Sequence, residues 1–155
     1  MKKGMCILFI LMFLTGCSSN YMSSIYNNEK EIASDNNRFN LINPEQTIDS
    51  QTFTGNAKFE GMDTIWTYEA ADDMDIDMTY LLELESGKVK LVLISPDDTT
   101  TTLIETTEKS PLKDYAMSTL HIKKGNNRIK LVAGENTKLD FDISIPDGEF
   151  HELGM

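Results

Sequence analysis

The chain has 155 residues, with 25 Asp and Glu against 14 Lys and Arg, giving a formal net charge of −11 at pH 7. An acidic excess of this size argues against a nucleic-acid partner, which requires clustered cations against phosphate, and against a domain lying flat on anionic lipid. Its two cysteines, Cys6 and Cys17, both fall near the N-terminus, so thiol chemistry, zinc-thiolate sites and disulfides are excluded from the rest of the chain.

The first element is an export signal. Lys2 and Lys3 precede an apolar run from Met5 to Leu14, which is followed by Thr15, Gly16 and Cys17, the order of a positive segment, an apolar segment and a small-residue cleavage site. An apolar helix of about 10 to 12 residues, at about 1.5 Å each, falls well short of a hydrocarbon core of roughly 30 Å. A permanent span is therefore not expected.

The residues Leu14, Thr15, Gly16 and Cys17 resemble the lipobox of bacterial lipoproteins. That resemblance implies removal of residues 1–16 and covalent diacylglycerol on Cys17. The protein would then sit at the cell membrane on its extracytoplasmic face, with the membrane a partner through the anchor. Losing Lys2 and Lys3 with the signal takes the formal charge from −11 to about −13.

Residues 17–50 follow, rich in Ser, Asn, Asp and Glu and without sustained period. They read as a flexible tether with a mean reach of roughly 30 Å. The stretch Ile25 to Ala33 has the length of two helical turns, too short to persist alone.

From Thr52 the period changes to two. Strands are predicted over 52–59, 63–69, 75–85, 88–95, 101–106, 118–123, 128–133 and 139–145. Ile76, Met78, Tyr80, Leu82 and Leu84 alternate with Asp75, Asp77, Thr79, Glu83 and Glu85, and Leu139, Phe141, Ile143 and Ile145 alternate with Asp140, Asp142 and Ser144. Each of these strands should have one wet face. Turn chemistry stands at Ser86 and Gly87, at Pro96 to Asp98, at Gly125 to Asn127 and at Gly134. Ser86 and Gly87 suit a two-residue hairpin.

The fold class expected is all-β, an antiparallel β-sandwich of about eight strands over residues 51–146, with a polar tail over 147–155. The strand pair around Gly87, the segment Val89 to Pro96 and the late pair Gly125 to Val132 and Leu139 to Ile145 resemble jelly-roll accessory domains of the pre-peptidase and carbohydrate-binding type. That resemblance concerns the fold; the function expected is a non-catalytic domain that binds an envelope protein, with a carbohydrate-binding module or a hydrolase-associated domain as the alternatives.

Asp72, Asp73, Asp75 and Asp77 form the densest acidic cluster and are candidate calcium ligands. An EF-hand is excluded because the positions that need Gly and Glu hold Met78 and Leu84; the alternatives are an irregular calcium loop and a solvated acidic rim. Trp66 and Tyr68, two apart, share a strand face and are candidate ligand-binding residues as a platform for a sugar ring. A sole Trp in a small sandwich more often packs in the core, which is the alternative reading. His121 is expected to face solvent and His151 lies in the polar tail, so neither a zinc site nor a nucleophile activated by His is indicated. Thr99 to Thr102 read as a strand edge. Lys123, Lys124, Arg128 and Lys130 form the one basic stretch, read as a solvated hairpin with an acidic envelope polymer as the alternative partner. No elbow, paired-acid spacing or phosphate loop stands out, so no catalytic role is expected.

Overall fold

The computed structural model describes residues 21–155. The signal peptide and Cys17 lie outside the described residues. Two short helices, α1 (Tyr21–Ile25) and α2 (Glu29–Ala33), precede eight strands: β1 (Arg38–Asp49), β2 (Thr52–Ala70), β3 (Met74–Ser86), β4 (Lys88–Ile94), β5 (Thr100–Thr107), β6 (Ala116–Ile122), β7 (Gly125–Ser144) and β8 (Glu149–Phe150). All pairings between them are antiparallel.

The architecture is built on two long strands. β2 and β7 pair along their whole length, from Thr52 opposite Ser144 to Ala70 opposite Gly125. The C-terminal half of β7 pairs with β3, which in turn pairs with β6. Its N-terminal half pairs with β4, which pairs with β5. One continuous sheet thus folds over into two layers, and the apolar faces of both layers share one core that includes Phe53, Leu82, Phe141 and Ile143 from the first and Leu91, Leu93, Ile129 and Leu131 from the second.

The fold-over occurs where the sequence places turns. Opposite the β2 bulge between Phe59 and Gly61, β7 runs from Ala133 to Thr137 through Gly134, Glu135 and Asn136. Gly61 has φ +102 and Asn136 has φ +53, backbone that a bulge requires and that a sequence pattern reads as a turn. The separate strands expected over 52–59 and 63–69 are therefore one, as are those over 128–133 and 139–145.

The expected hairpin at Ser86 and Gly87 is absent. β3 and β4 do not pair with each other but with different halves of β7, so Gly87 is the corner at which the chain changes layer. A Cβ on Gly87 would lie 2.4 Å from Thr137 Oγ1. The buried Thr137 hydroxyl bonds Lys88 O and Gly134 O at 3.0 and 2.9 Å, tying the corner to the bulge.

The expected tether is the largest correction. From Tyr21 onward it is folded against the sandwich. Ile25, Tyr26 and Ile32 are buried with Met62, Val92, Ile94 and Val132, a second apolar cluster on the outer face of the second layer. This explains why β4 is apolar on both sides: Leu91 and Leu93 face the main core, while Val92 and Ile94 face the helical cover. Helices of five residues have no independent stability, so the cover is held by this burial, at about 1.5–3 kcal/mol for each large apolar side chain before ordering costs.

Farther along the same stretch, β1 is an edge strand whose Phe39, Leu41 and Ile48 pack on the core while Pro44 stands at its bulge. The C-terminal residues are not a loose tail either. Phe150 and Leu153 are buried, and Leu153 exchanges hydrogen bonds with the Gln46 side chain.

Candidate functional surface

Trp66 and Tyr68 do share a face, with ring centroids 5.9 Å apart, but it is the inner face. Trp66 is 0% exposed, and its indole N–H donates to Asp147 O at 2.9 Å. Gly148, at φ +86, sits so close that a Cβ there would lie 2.5 Å from the indole. Tyr68 is half-buried, with its hydroxyl toward Met74 Sδ. The platform reading is corrected accordingly: the indole has no free face for a sugar ring.

The acidic cluster is divided among separate partners. Asp73 accepts from the Lys124 backbone N–H at 2.9 Å and the Lys123 ammonium at 3.0 Å, which hold its carboxyl below the usual range. Asp75 pairs with His121 Nδ1 at 2.8 Å, and Asp77 accepts from the Thr119 hydroxyl at 2.9 Å. The last two are cross-strand neighbours set by the register of β3 on β6. Asp72 is exposed beside them. Among the described residues no three Asp, Glu, His or Cys converge as a metal centre would need, so the calcium-loop reading finds no geometry here.

The basic stretch is not a solvated hairpin. Lys123 and Lys124 are exposed as expected, but Arg128 is mostly covered and Lys130 is 0% exposed. The Lys130 ammonium donates to Ser34 O at 2.6 Å and Asn36 O at 2.7 Å. Arg128 donates to Ala33 O at 2.7 Å and pairs with Asp35 and Asp98. Two cations on the outer face of β7 thus clasp residues 33–36, the end of α2 and the start of its connector to β1. Burial pushes Lys130 down to about 8, helped by the Arg128 charge and opposed by Asp63.

Asp63 is also buried; its Oδ2 accepts from the Gly154 N–H at 2.7 Å, and burial raises its pKa. Tyr26 follows the same pattern. Its hydroxyl donates to Glu105 at 2.7 Å, Lys88 and Lys90 lie over its ring, and burial followed by the Glu105 contact raises its pKa. Lys130, Tyr26 and Asp63 therefore fasten the N-terminal cover and the C-terminal segment to the sandwich.

His151 bonds the Thr67 hydroxyl at 2.8 Å, and the run from Thr99 leads into the start of β5. A groove of about 430 Å³ at the β1 bulge is lined by Phe39, Ile42, Lys58 and Asn136 among others. Among the described residues, none packs over the outer face of the first layer. There Asp140, Asp142 and Lys138 of β7 lie beside Thr79, Glu83 and Glu85 of β3. Tyr115 stands at its margin, 58% exposed, with its hydroxyl donating to Asp142, and Met117 on β6 is 67% exposed. Tyr115 lies outside any strand, and its one sequence signal is an aromatic residue in a polar loop.

No family model matches the chain, and no curated protein matches it. Among solved structures it is similar to a family 29 carbohydrate-binding module, at 10% identity and TM-score 0.33, covering 72% of this chain and 80% of that one. It is likewise similar to a structure titled "CBM4 structure and function", at 10% identity and TM-score 0.37, covering 74% and 77%. The β-sandwich assignment rests on the strand pairing itself.

Proposed function

We propose that the chain is a lipid-anchored extracytoplasmic protein whose sandwich is a non-catalytic interaction domain, presenting the open acidic face of its first layer to an envelope partner. Anchoring is supported by Leu14, Thr15, Gly16 and Cys17. The observation that carries the binding role is the asymmetry of the sandwich. One outer face is sealed by the α1 and α2 cover, while the other is left open among the described residues, with Tyr115 exposed beside Asp142 and Met117 exposed opposite Thr79. Lys130 and Tyr26, whose protonation burial displaces, are engaged in fastening that cover rather than converging on a cleft.

The test uses native membranes. Mass spectrometry should find the diacylglycerol adduct on Cys17, and Cys17→Ser should release the protein from the membrane fraction. A photocrosslinker at Thr79 on the open face should capture an envelope partner that the same probe at Asn27 on the helical cover does not. Unmodified Cys17, or equal capture from both positions, would overturn the reading.

Polysaccharide binding is the second reading, and Tyr115 favours it rather than Trp66. An exposed phenol ring with a carboxylate at its edge offers both a stacking surface and an acceptor for sugar hydroxyls. Retardation in polysaccharide affinity gels that disappears with Tyr115→Ala would support it, and no retardation by any envelope glycan would remove it.

A further inference from the structure

We infer that the helical cover is the membrane-facing side of the domain, seated against the phospholipid headgroups, and that the open acidic face is held pointing away from the lipid. The inference rests on the anchoring reading of Cys17 and adds to it the orientation of the folded body.

The first argument is length. The described residues begin at Tyr21, four positions after Cys17. Four residues span at most about 14 Å when fully extended, far less than the reach expected of a tether running to residue 50. Tyr21 is fixed on the outer face of the second layer: its hydroxyl accepts from Arg38 Nη1 at 2.9 Å, and α1 leads into Ile25 and Tyr26 of the second apolar cluster. From there to the opposite face the path crosses the helical cover, about 10 Å thick, and two sheets about 10 Å apart. A connection of about 14 Å cannot bring that far face to the bilayer while its lipid stays inserted.

The second argument is charge. The total acidity argues against contact with anionic lipid, but the acidity is unevenly placed. The open face concentrates Asp140, Asp142, Glu83 and Glu85, of which Lys138 offsets only Glu85. On the cover, Tyr21, Ser24, Asn27 and Asn28 are exposed and uncharged, while Glu29, Glu31 and Glu105 are offset by Lys30, Lys88 and Lys90, so the charge there is near balance. Repulsion from an anionic surface, acting over a Debye length of about 8 Å, therefore turns the acidic face outward. The short connection and the charge asymmetry choose the same orientation.

The experiment uses the full lipidated chain in vesicles of phosphatidylcholine and phosphatidylglycerol. With Cys6 removed in processing and the Cys17 thiol acylated, a single introduced cysteine is the sole free thiol. A fluorophore is placed on Ser24→Cys in α1, or on Thr79→Cys at the open face, and quenched by nitroxide-labelled lipid; circular dichroism confirms that each variant is folded. We expect quenching several-fold stronger at Ser24 than at Thr79, and a flexible insertion of about 30 residues between Cys17 and Tyr21, adding roughly 30 Å of reach, should erase the difference. Equal quenching, or stronger quenching at Thr79, in material whose mass shows a diacylated Cys17 would overturn the orientation while leaving the anchor intact. An unmodified Cys17 would overturn the anchor, and the orientation with it.

Discussion

The buried ammonium of Lys130 gives the sharpest test of how the N-terminal cover is held. Replacing it with Met keeps the stem's volume but leaves Ser34 O and Asn36 O without their donor, at about 1–3 kcal/mol for each unsatisfied carbonyl. The same change removes the cost of keeping a charge where burial has brought the group from 10.5 down to about 8, a cost of at most about 3 kcal/mol at 1.36 kcal/mol per pH unit. Near neutral pH a loss of about 2–6 kcal/mol is opposed by a gain of about 3 kcal/mol, so the net destabilisation is at most about 3 kcal/mol.

The pH dependence separates them. Between about pH 8 and 10.5 the unfolded chain holds the Lys130 proton and the folded chain releases it, so wild-type stability rises with pH. With those two values, the gain from pH 7 to about pH 9.5 is about 2 kcal/mol. Tyr26 acts in the opposite sense only above about pH 10: its raised folded value means that the unfolded phenol ionises first and stability then falls. Urea denaturation at constant ionic strength should therefore show wild-type stability climbing across this range and Lys130→Met staying level. A level wild type, or a variant climbing in parallel with it, would refute the assignment of the burial cost to Lys130.

Further outcomes follow from the same coordinates. Gly148→Ala should lower stability by more than about 2 kcal/mol, because it combines φ +86 with a Cβ 2.5 Å from the Trp66 indole; an unchanged thermal midpoint would show that the indole is not locked. Trp66 fluorescence should be blue-shifted, resist iodide quenching and stay unmoved by added glycans, as its burial requires. Millimolar calcium should leave the melting temperature where a chelator leaves it, because Asp73, Asp75 and Asp77 each answer a different partner.

Sequence periodicity reached the interior of the sandwich because its central strands obey a period of two with apolar residues on one side, as in Ile76 to Leu82 and Leu139 to Ile143. It missed β1 because an edge strand tolerates Asn, Glu and Pro on its exposed side, leaving only Phe39, Leu41 and Ile48 to mark it. It broke β2 and β7 in two because Gly61 and Gly134 carry the same composition in a bulge as in a turn. The surface was less legible than the core. Lys130 looks like any exposed Lys on an alternating strand, and only the arrival of Ser34 and Asn36 above it makes it interior. Trp66 and Tyr68 do share a strand face, but their spacing alone cannot say whether that face is wet or buried.

The stretch read as tether therefore has two separable parts, and this yields a last prediction. If residues before Tyr21 serve only as leash and residues 33–36 as the clasped connector, the same flexible insertion should act very differently at the two places. Ahead of Tyr21 it alters no described contact and should leave the urea midpoint unchanged. Between Ser34 and Asn36 it separates the two carbonyls that Lys130 holds together and displaces Asp35 from Arg128. Hydrogen bonds to a charged group contribute about 1.5–3 kcal/mol each, so the inner insertion should cost about 3–6 kcal/mol and loosen the cover over Val92, Ile94 and Val132. Hydrogen exchange in α1 and α2 should rise with it while the amides of β3 stay protected. Equal midpoints for the two insertions would mean that the clasp contributes nothing and that apolar burial alone holds the cover in place.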